Sequence, residues 1–205
     1  MSLGSERDDI VVSMTNLHLF RKLWHVGGGI LIVSTLAFLP RVETLTAMAL
    51  LFAADLAVEI VRLRNPAVNA RFVRFAASLI RSSEHGKISG TPPFLAGCLA
   101  AAVLFPLPVA IAGILFLTFG DVAATTVGER FGRTRIGGKS LEGTGAFLAA
   151  SALVSLGVVL FPHAPPLGAL IAGAGAAAAV EFLPLPVNDN FTIPVVSAAV
   201  IHLLS

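Results

Sequence analysis

The side chains in this sequence that can do chemistry are few, and two stretches hold most of them. The first is GDVAATTVGERFGRTRIGGKSLEGT, Gly120 to Thr144. It opens on Asp121, an acid inside an apolar run with no basic residue within one helical turn, and then turns glycine-rich and basic. The second is LPLPVNDN, which carries Asp189 and ends on Asn190. Glycines leave backbone N–H groups open, and Arg and Lys neutralise oxygen charge, so Gly128, Gly132, Gly138, Arg130, Arg133 and Lys139 together suit a polyphosphate. Asp121 and Asp189 offer the oxygen ligands that Mg²⁺ takes while it bridges to phosphates. Gly138-Lys139-Ser140 looks like the end of a P-loop, but that pattern needs glycine at position 133, which is Arg133, with Gly132 one residue off. The strand-to-helix setting is also missing. The residues alone therefore point to a Mg²⁺–polyphosphate site. A second reading stands beside this one: the glycines also serve as helix caps or close-packing positions, and Ser140 and Asn190 as caps of the helices that follow them.

These groups sit in a chain of 205 residues that is 56% hydrophobic and 13% charged, with a mean hydropathy of +0.87. A soluble domain carries about 25% charge. Apolar segments recur along the whole length, over 25–40, 44–61, 91–106, 109–127, 144–161, 165–183 and 191–204. The expected fold is all-α: one integral-membrane unit over 1–205, a polytopic bundle of about seven transmembrane helices. Several segments are short, which fits a thin or tilted bundle. With residues 1–20 cytoplasmic and all seven crossing, the inside segments hold every Lys and Arg except Arg41, which is the bias that sets membrane orientation. The segment 64–90 reads as a cytoplasmic interfacial helix, with Val68, Phe72, Phe75 and Leu79 on one face and Arg71, Arg74 and Arg81 beside it. The net charge of +2 gives no sign of a nucleic-acid partner, and the lone Cys98 excludes an internal disulfide and a thiolate metal cluster. The first residues do not have the order of a secretory signal.

Ionisable groups within spanning helices are expensive, roughly 2.5–3.5 kcal/mol at mid-bilayer on insertion scales. The chain has few of them: Asp55, Glu59, Asp121 and Glu181, with His25 and His202 near segment ends. Glu59 precedes Arg62 by three residues and is placed to pair with it. Asp55, Glu59 and Arg62 share one helical face, and His18, Arg21 and His25 share another. Together with Asp121 and the two polar stretches, these faces approach the same inner side of the membrane, so a shared site facing the cytoplasm is expected there. A transporter would instead spread its polar groups across the midplane, and here the outer half is nearly bare of charge.

The same pieces resemble a known family, the CTP-dependent lipid-alcohol kinases, which include dolichol kinase, phytol kinase and the CTP-using diacylglycerol kinases. The likeness runs from Arg21 to about Pro194, through RKLWHVGGG, VEIVRL, IRSSEHGKISGTPPFLAG, the Gly120–Thr144 stretch and EFLPLPVNDNFTIP. The resemblance implies transfer of the γ-phosphate of CTP to the hydroxyl of a membrane lipid of diacylglycerol, polyprenol, dolichol or phytol type. It implies that Asp121 acts at the metal and that Lys139, with Arg130 or Arg133, binds phosphate. Glu142 would lie beside that loop. Asp189 and Asn190 would complete a nucleotide–metal site lined by Arg21, Lys22 and His25, with Glu84 in the family's motif before the third span. Many members carry Asp where this chain has Glu59. The short core, lacking the extra helices of dolichol kinases, leans toward a diacylglycerol or short isoprenoid. Phosphatidate cytidylyltransferase, which shares CTP, Mg²⁺ and a membrane surface, ranks second because its acids lie in a more acid-rich C-terminal run. A small membrane transporter is the alternative from another class.

Overall fold

The computed structural model describes residues 3–77 and 79–205, with side chains described from Phe20 onward. His18 therefore lies outside the described side chains. Among the described residues there are eight α-helices: α1 (Leu3–Phe38), α2 (Arg41–Arg64), α3 (Pro66–Phe75), α4 (Thr91–Leu104), α5 (Leu107–Phe131), α6 (Leu141–Val158), α7 (Leu167–Phe182) and α8 (Asp189–Leu203). Each of the seven expected apolar segments falls on one helix, and the expected interfacial segment contains α3. By length and composition α2, α5 and α6 suffice to cross a membrane, while α4, α7 and α8 are shorter apolar helices. One part of the chain departs from the all-α expectation. The basic loop is an antiparallel ribbon, β1 (Arg135–Ile136) paired with β2 (Lys139–Ser140).

Proline marks where several of these helices begin. Pro66 opens α3, Pro92 and Pro93 fall in the first turn of α4, and Pro106 and Pro108 flank the start of α5. A fixed φ and a missing N–H do no harm in a first turn. Asn65 caps α3 by accepting from the N–H groups of Ala67 and Val68 at 3.0 and 3.3 Å. α3 is shorter than expected, so Leu79 lies beyond it. The face that α3 turns toward the protein carries Phe72, whose ring lies 5.1 Å below the Arg62 guanidinium, whereas Phe75 is exposed.

α5 is the central helix, with α1, α6 and α8 packed around it. Helices in an apolar medium gain little from hiding apolar surface, so they associate where small residues let backbones approach. A Cβ on Gly113 would stand 2.5 Å from the Pro194 carbonyl oxygen, and one on Gly97 2.6 Å from that of Asn190. α8 is seated against α4 and α5 through those two glycines. Apart from α3, successive helices alternate in direction. At one end Arg41 donates to the carbonyls of Ala102 and Phe105 at 2.8 and 3.3 Å, and the Phe105 ring meets His202. The other end gathers the end of α2, the starts of α4, α6 and α8, the ends of α5 and α7, and the ribbon.

Candidate functional site

At that second end lies a cavity of about 1180 Å³. Its polar side is built from α1, α5, β2 and the start of α8. Arg21, Asp121, Lys139 and Asp189 all line it, with Lys22 and Asn190. Asp121 and Lys139, 18 positions apart in sequence, thus face one space. The Arg21 guanidinium lies in the field of Arg81, Asp121, Glu129 and Glu84, so α1, α5 and the loop before α4 share one electrostatic neighbourhood. Lys22 pairs with Glu129 of α5 at 2.8 Å. His25 lies against the Phe94 ring with centroids 4.9 Å apart, and its Nε2 is buried without a hydrogen-bond partner.

Lys139 reaches the cavity because of the turn before it. Ile136 pairs with Lys139, leaving Gly137 and Gly138 as a two-residue loop with φ of 58° and 89°. Both central residues at positive φ define the hairpin turn that glycine adopts without a Cβ penalty. Lys139 Nζ then donates to the Asp189 carboxylate and to the Glu181 carbonyl, and stands 3.3 Å from Glu181 Oε1. Glu181 Oε2 in turn accepts from Thr144 Oγ1 at 3.0 Å. Burial alone lowers the Lys139 pKa, but the hydrogen bond and charge of Asp189, followed by those of Glu181, outweigh it, and the ammonium is held above its ordinary value.

Behind the polar side, Arg62 is completely buried and holds the 84–89 loop in place. Its guanidinium donates to Glu59 at 2.8 and 2.7 Å, to Asn69 Oδ1 at 3.0 Å and to the Lys87 carbonyl at 2.6 Å. Glu59 Oε2 also accepts from the Ser89 N–H at 2.9 Å. The expected Glu59–Arg62 pair is therefore present, and it clamps the loop that brings Glu84 to the cavity wall. Removing one partner of a buried pair leaves an uncompensated charge, which costs about 3–5 kcal/mol. Arg62→Ala should lower the thermal unfolding midpoint in detergent sharply, whereas Arg64→Ala, at an exposed position, should leave it nearly unchanged. Equal midpoints for the two variants would remove the clamp.

The other site candidates separate into two groups. Gly128, Gly138 and Ser140 line the cavity, but Ser140 also caps α6 by accepting from the Gly143 N–H at 3.0 Å. A Cβ on Gly128 or Gly132 would fall 2.8 Å from Ser140 Oγ, so both glycines let the ribbon lie close to α5. Arg130, Gly132, Arg133 and Glu142 border a separate recess of about 430 Å³ instead of the main cavity. Arg130 stacks over Phe131, and Glu142 Oε1 accepts from the Thr134 N–H. Asn188, not Asn190, caps α8, because the Asn190 side chain reaches across to the Gly90 carbonyl at 3.0 Å and ties α8 to α4. Glu181 and Asp55 have no role assigned by the sequence, yet both line the cavity. Each is an acid in an apolar helix, and Asp55 also lies on the Glu59–Arg62 face that points to the shared site. Among the described residues no group of three or more His, Cys, Asp or Glu side chains forms a metal cage. Asp121 still faces the cavity, and none of the described residues donates a hydrogen bond to its carboxylate. It fits the usual Mg²⁺ arrangement of one or two carboxylates completed by phosphate oxygens.

No protein-family model matches the chain, and no solved structure matches it. Curated proteins do. An uncharacterised protein of Rickettsia prowazekii is 27% identical over 180 residues, covering 85% of this chain and 88% of that one. CTP-dependent diacylglycerol kinase 1 of Schizosaccharomyces pombe is 29% identical over 161 residues, covering 71% of this chain and 74% of the relative. The protein of the same name from Eremothecium gossypii is 30% identical over 175 residues, covering 74% of this chain and 55% of the relative. These distant likenesses give loose support to the family that the sequence resembles, and they favour neither of the two alternatives.

Proposed function

We propose that this protein is a CTP-dependent lipid kinase: it moves the γ-phosphate of CTP to the hydroxyl of a membrane lipid alcohol and releases CDP. The observation that carries this reading is the single cavity, at one end of an apolar bundle, that Lys139, Arg21, Asp121 and Asp189 all line. The similarity to CTP-dependent diacylglycerol kinases supports the nucleotide and the class of acceptor. The seven apolar helices cross the bilayer in this reading. The cavity then faces the cytoplasm, because among the described residues the Lys and Arg side chains gather at its end and Arg41 stands alone at the other.

Phosphoryl transfer asks little covalent chemistry of a protein; it depends on position and on neutralised charge. In the reaction the lipid oxygen forms a bond to the γ-phosphorus, the bond from that phosphorus to the β-bridging oxygen breaks, and the hydroxyl proton leaves to a carboxylate or to water. Lys139 and Arg21 hold phosphate oxygens. Asp189 and Glu181 fix the position of the Lys139 ammonium, and Asn190 keeps the start of α8 against α4. Asp121, with Asp189, would hold Mg²⁺, which supplies charge neutralisation on the phosphates when bound.

The protein purified with Mg²⁺ should transfer label from γ-labelled CTP to a lipid hydroxyl, tested on a panel of diacylglycerols, polyprenols and phytol, with far less transfer from ATP. Transfer of the α-phosphate to phosphatidate would instead establish a cytidylyltransferase. No transfer of either kind would end both readings.

A further inference from the structure

The cavity has a second arm that the phosphate chemistry leaves unused. Between α1 and α2 its wall includes Trp24, Leu31, Ile32 and Leu51, closed on the inner side by Phe94. Trp24, Leu31 and Leu51 are nevertheless 59%, 65% and 54% exposed. Residues that line a cavity while standing more than half exposed mark where it opens onto the outer surface. This mouth is apolar, and α2 on one side of it is long and apolar enough to cross a membrane. It opens toward acyl chains.

One polar group interrupts this arm. Asp55 lines it from α2, nine residues before Arg64, about 14 Å along the axis. Its Oδ2 is buried and has no hydrogen-bond partner. The nearest charged groups on the same helix do not relieve it. Arg62 is turned to Glu59 and the loop carbonyls, and Glu59 to Arg62 and the Ser89 N–H. Asp121 lies ten residues before the end of α5, about 15 Å along that axis. Both helices end on the polar side of the bundle, so the two acids flank the cavity at similar depth, one on the phosphate arm and one on the apolar arm.

We infer that the α1–α2 arm is the channel for the lipid tail and that Asp55 is the residue that meets the substrate hydroxyl. This rests on the lipid-kinase reading and adds to it where the acceptor lies. A hydroxyl donates one hydrogen bond and accepts two, so it satisfies a carboxyl oxygen in either protonation state. A phosphorylated lipid brings a charge of about −1.5 to −2 toward the same acid, which opposes retention of the product when the carboxylate is ionised. The site thus selects an uncharged lipid with a free hydroxyl over a lipid phosphate.

Two measurements on the full chain in lipid–detergent micelles test this. Asp55→Leu should raise the KM for the lipid alcohol at least about tenfold, the scale of one hydrogen bond to a charged group, while the KM for CTP stays within about twofold. Asp55→Asn should recover most of the loss. A merely structural acid would move both KM values and would not respond to the choice of Asn or Leu. In the second measurement, a diacylglycerol and a polyprenol each bearing a diazirine in the chain are photolysed with the wild-type protein, without nucleotide. At least one should label peptides containing Trp24, Leu31 or Leu51, and the unlabelled alcohol should compete better than phosphatidic acid. Labelling confined to other faces, no labelling by either probe, or an unchanged lipid KM in Asp55→Leu would overturn the inference. Labelling at this arm in a protein with no transfer from CTP would remove the kinase reading and leave the lipid site standing.

Discussion

Lys139→Ala should lower kcat/KM for CTP by roughly 10³-fold, the low end of what a single positioned cation contributes to phosphoryl transfer. The substitution removes the cation and also strips the donor from Asp189 and Glu181. Both carboxylates would then lose the ammonium that stands between them and the triphosphate, so its effect exceeds that of an isolated surface lysine. The cluster is partly open to solvent, with Lys139 30% and Asp189 32% exposed, and the variant should still elute as a single folded species in detergent. Lys139→Arg keeps the charge but presents a planar fork in place of a compact ammonium, and should retain a small part of the activity. Activity within tenfold of wild type in Lys139→Ala would place the phosphate elsewhere. The ion cluster also fixes a sign for pH. With its pKa raised, the Lys139 contribution is complete below the unfolded-state value and is lost only as pH rises through the folded-state value. Lys139 should therefore produce no falling limb in the pH–rate profile below about pH 10, and a fall near pH 8 would belong to another group.

Asp121→Asn should reduce turnover by about 10²–10³-fold, the span expected when one preorganised electrostatic contribution to the transition state is lost, here that of the cation this carboxylate would hold. Shape is preserved, so the loss is electrostatic. Arg21, close to Asp121, keeps Glu84 and Glu129 nearby, and the fold has no newly orphaned cation to absorb. If this carboxylate holds Mg²⁺, the residual activity should need more Mg²⁺ for half-saturation than wild type does. Titrating Mg²⁺ against initial rate in both proteins makes the comparison. Full activity with an unchanged Mg²⁺ requirement would take Asp121 out of the site.

Much of the architecture was legible in the sequence because it depends on local properties. Hydropathy over about twenty residues reports the cost of burying backbone and charge in an apolar medium, and each expected apolar segment has its helix. An acid in an apolar run is visible for the same reason, so Asp121 could be singled out without coordinates. The i,i+3 spacing of Glu59 and Arg62 was enough to anticipate their pair. The ribbon was not anticipated: it is only four paired residues long, and its signal is two adjacent glycines that also suit a flexible loop.

Only the tertiary structure decided which polar residues share a space. Within one basic stretch, Lys139 faces the large cavity while Arg130 and Arg133 border another recess, because the glycine turn reverses the chain between them, and Glu142, at the start of α6, comes back beside that recess through the Thr134 N–H. Lys139 finds Asp189 fifty positions later and Glu181 forty-two later, and no local pattern encodes such distances. Gly128 and Gly132 become packing positions only because Ser140 folds over them. Asp55 and Glu59 look alike in sequence, one helical turn apart. In the fold Glu59 is matched by Arg62 and Ser89, while one Asp55 oxygen is left without a partner. Hydropathy and helical spacing are properties of neighbours along the chain, whereas pairing and vacancy are properties of neighbours in space.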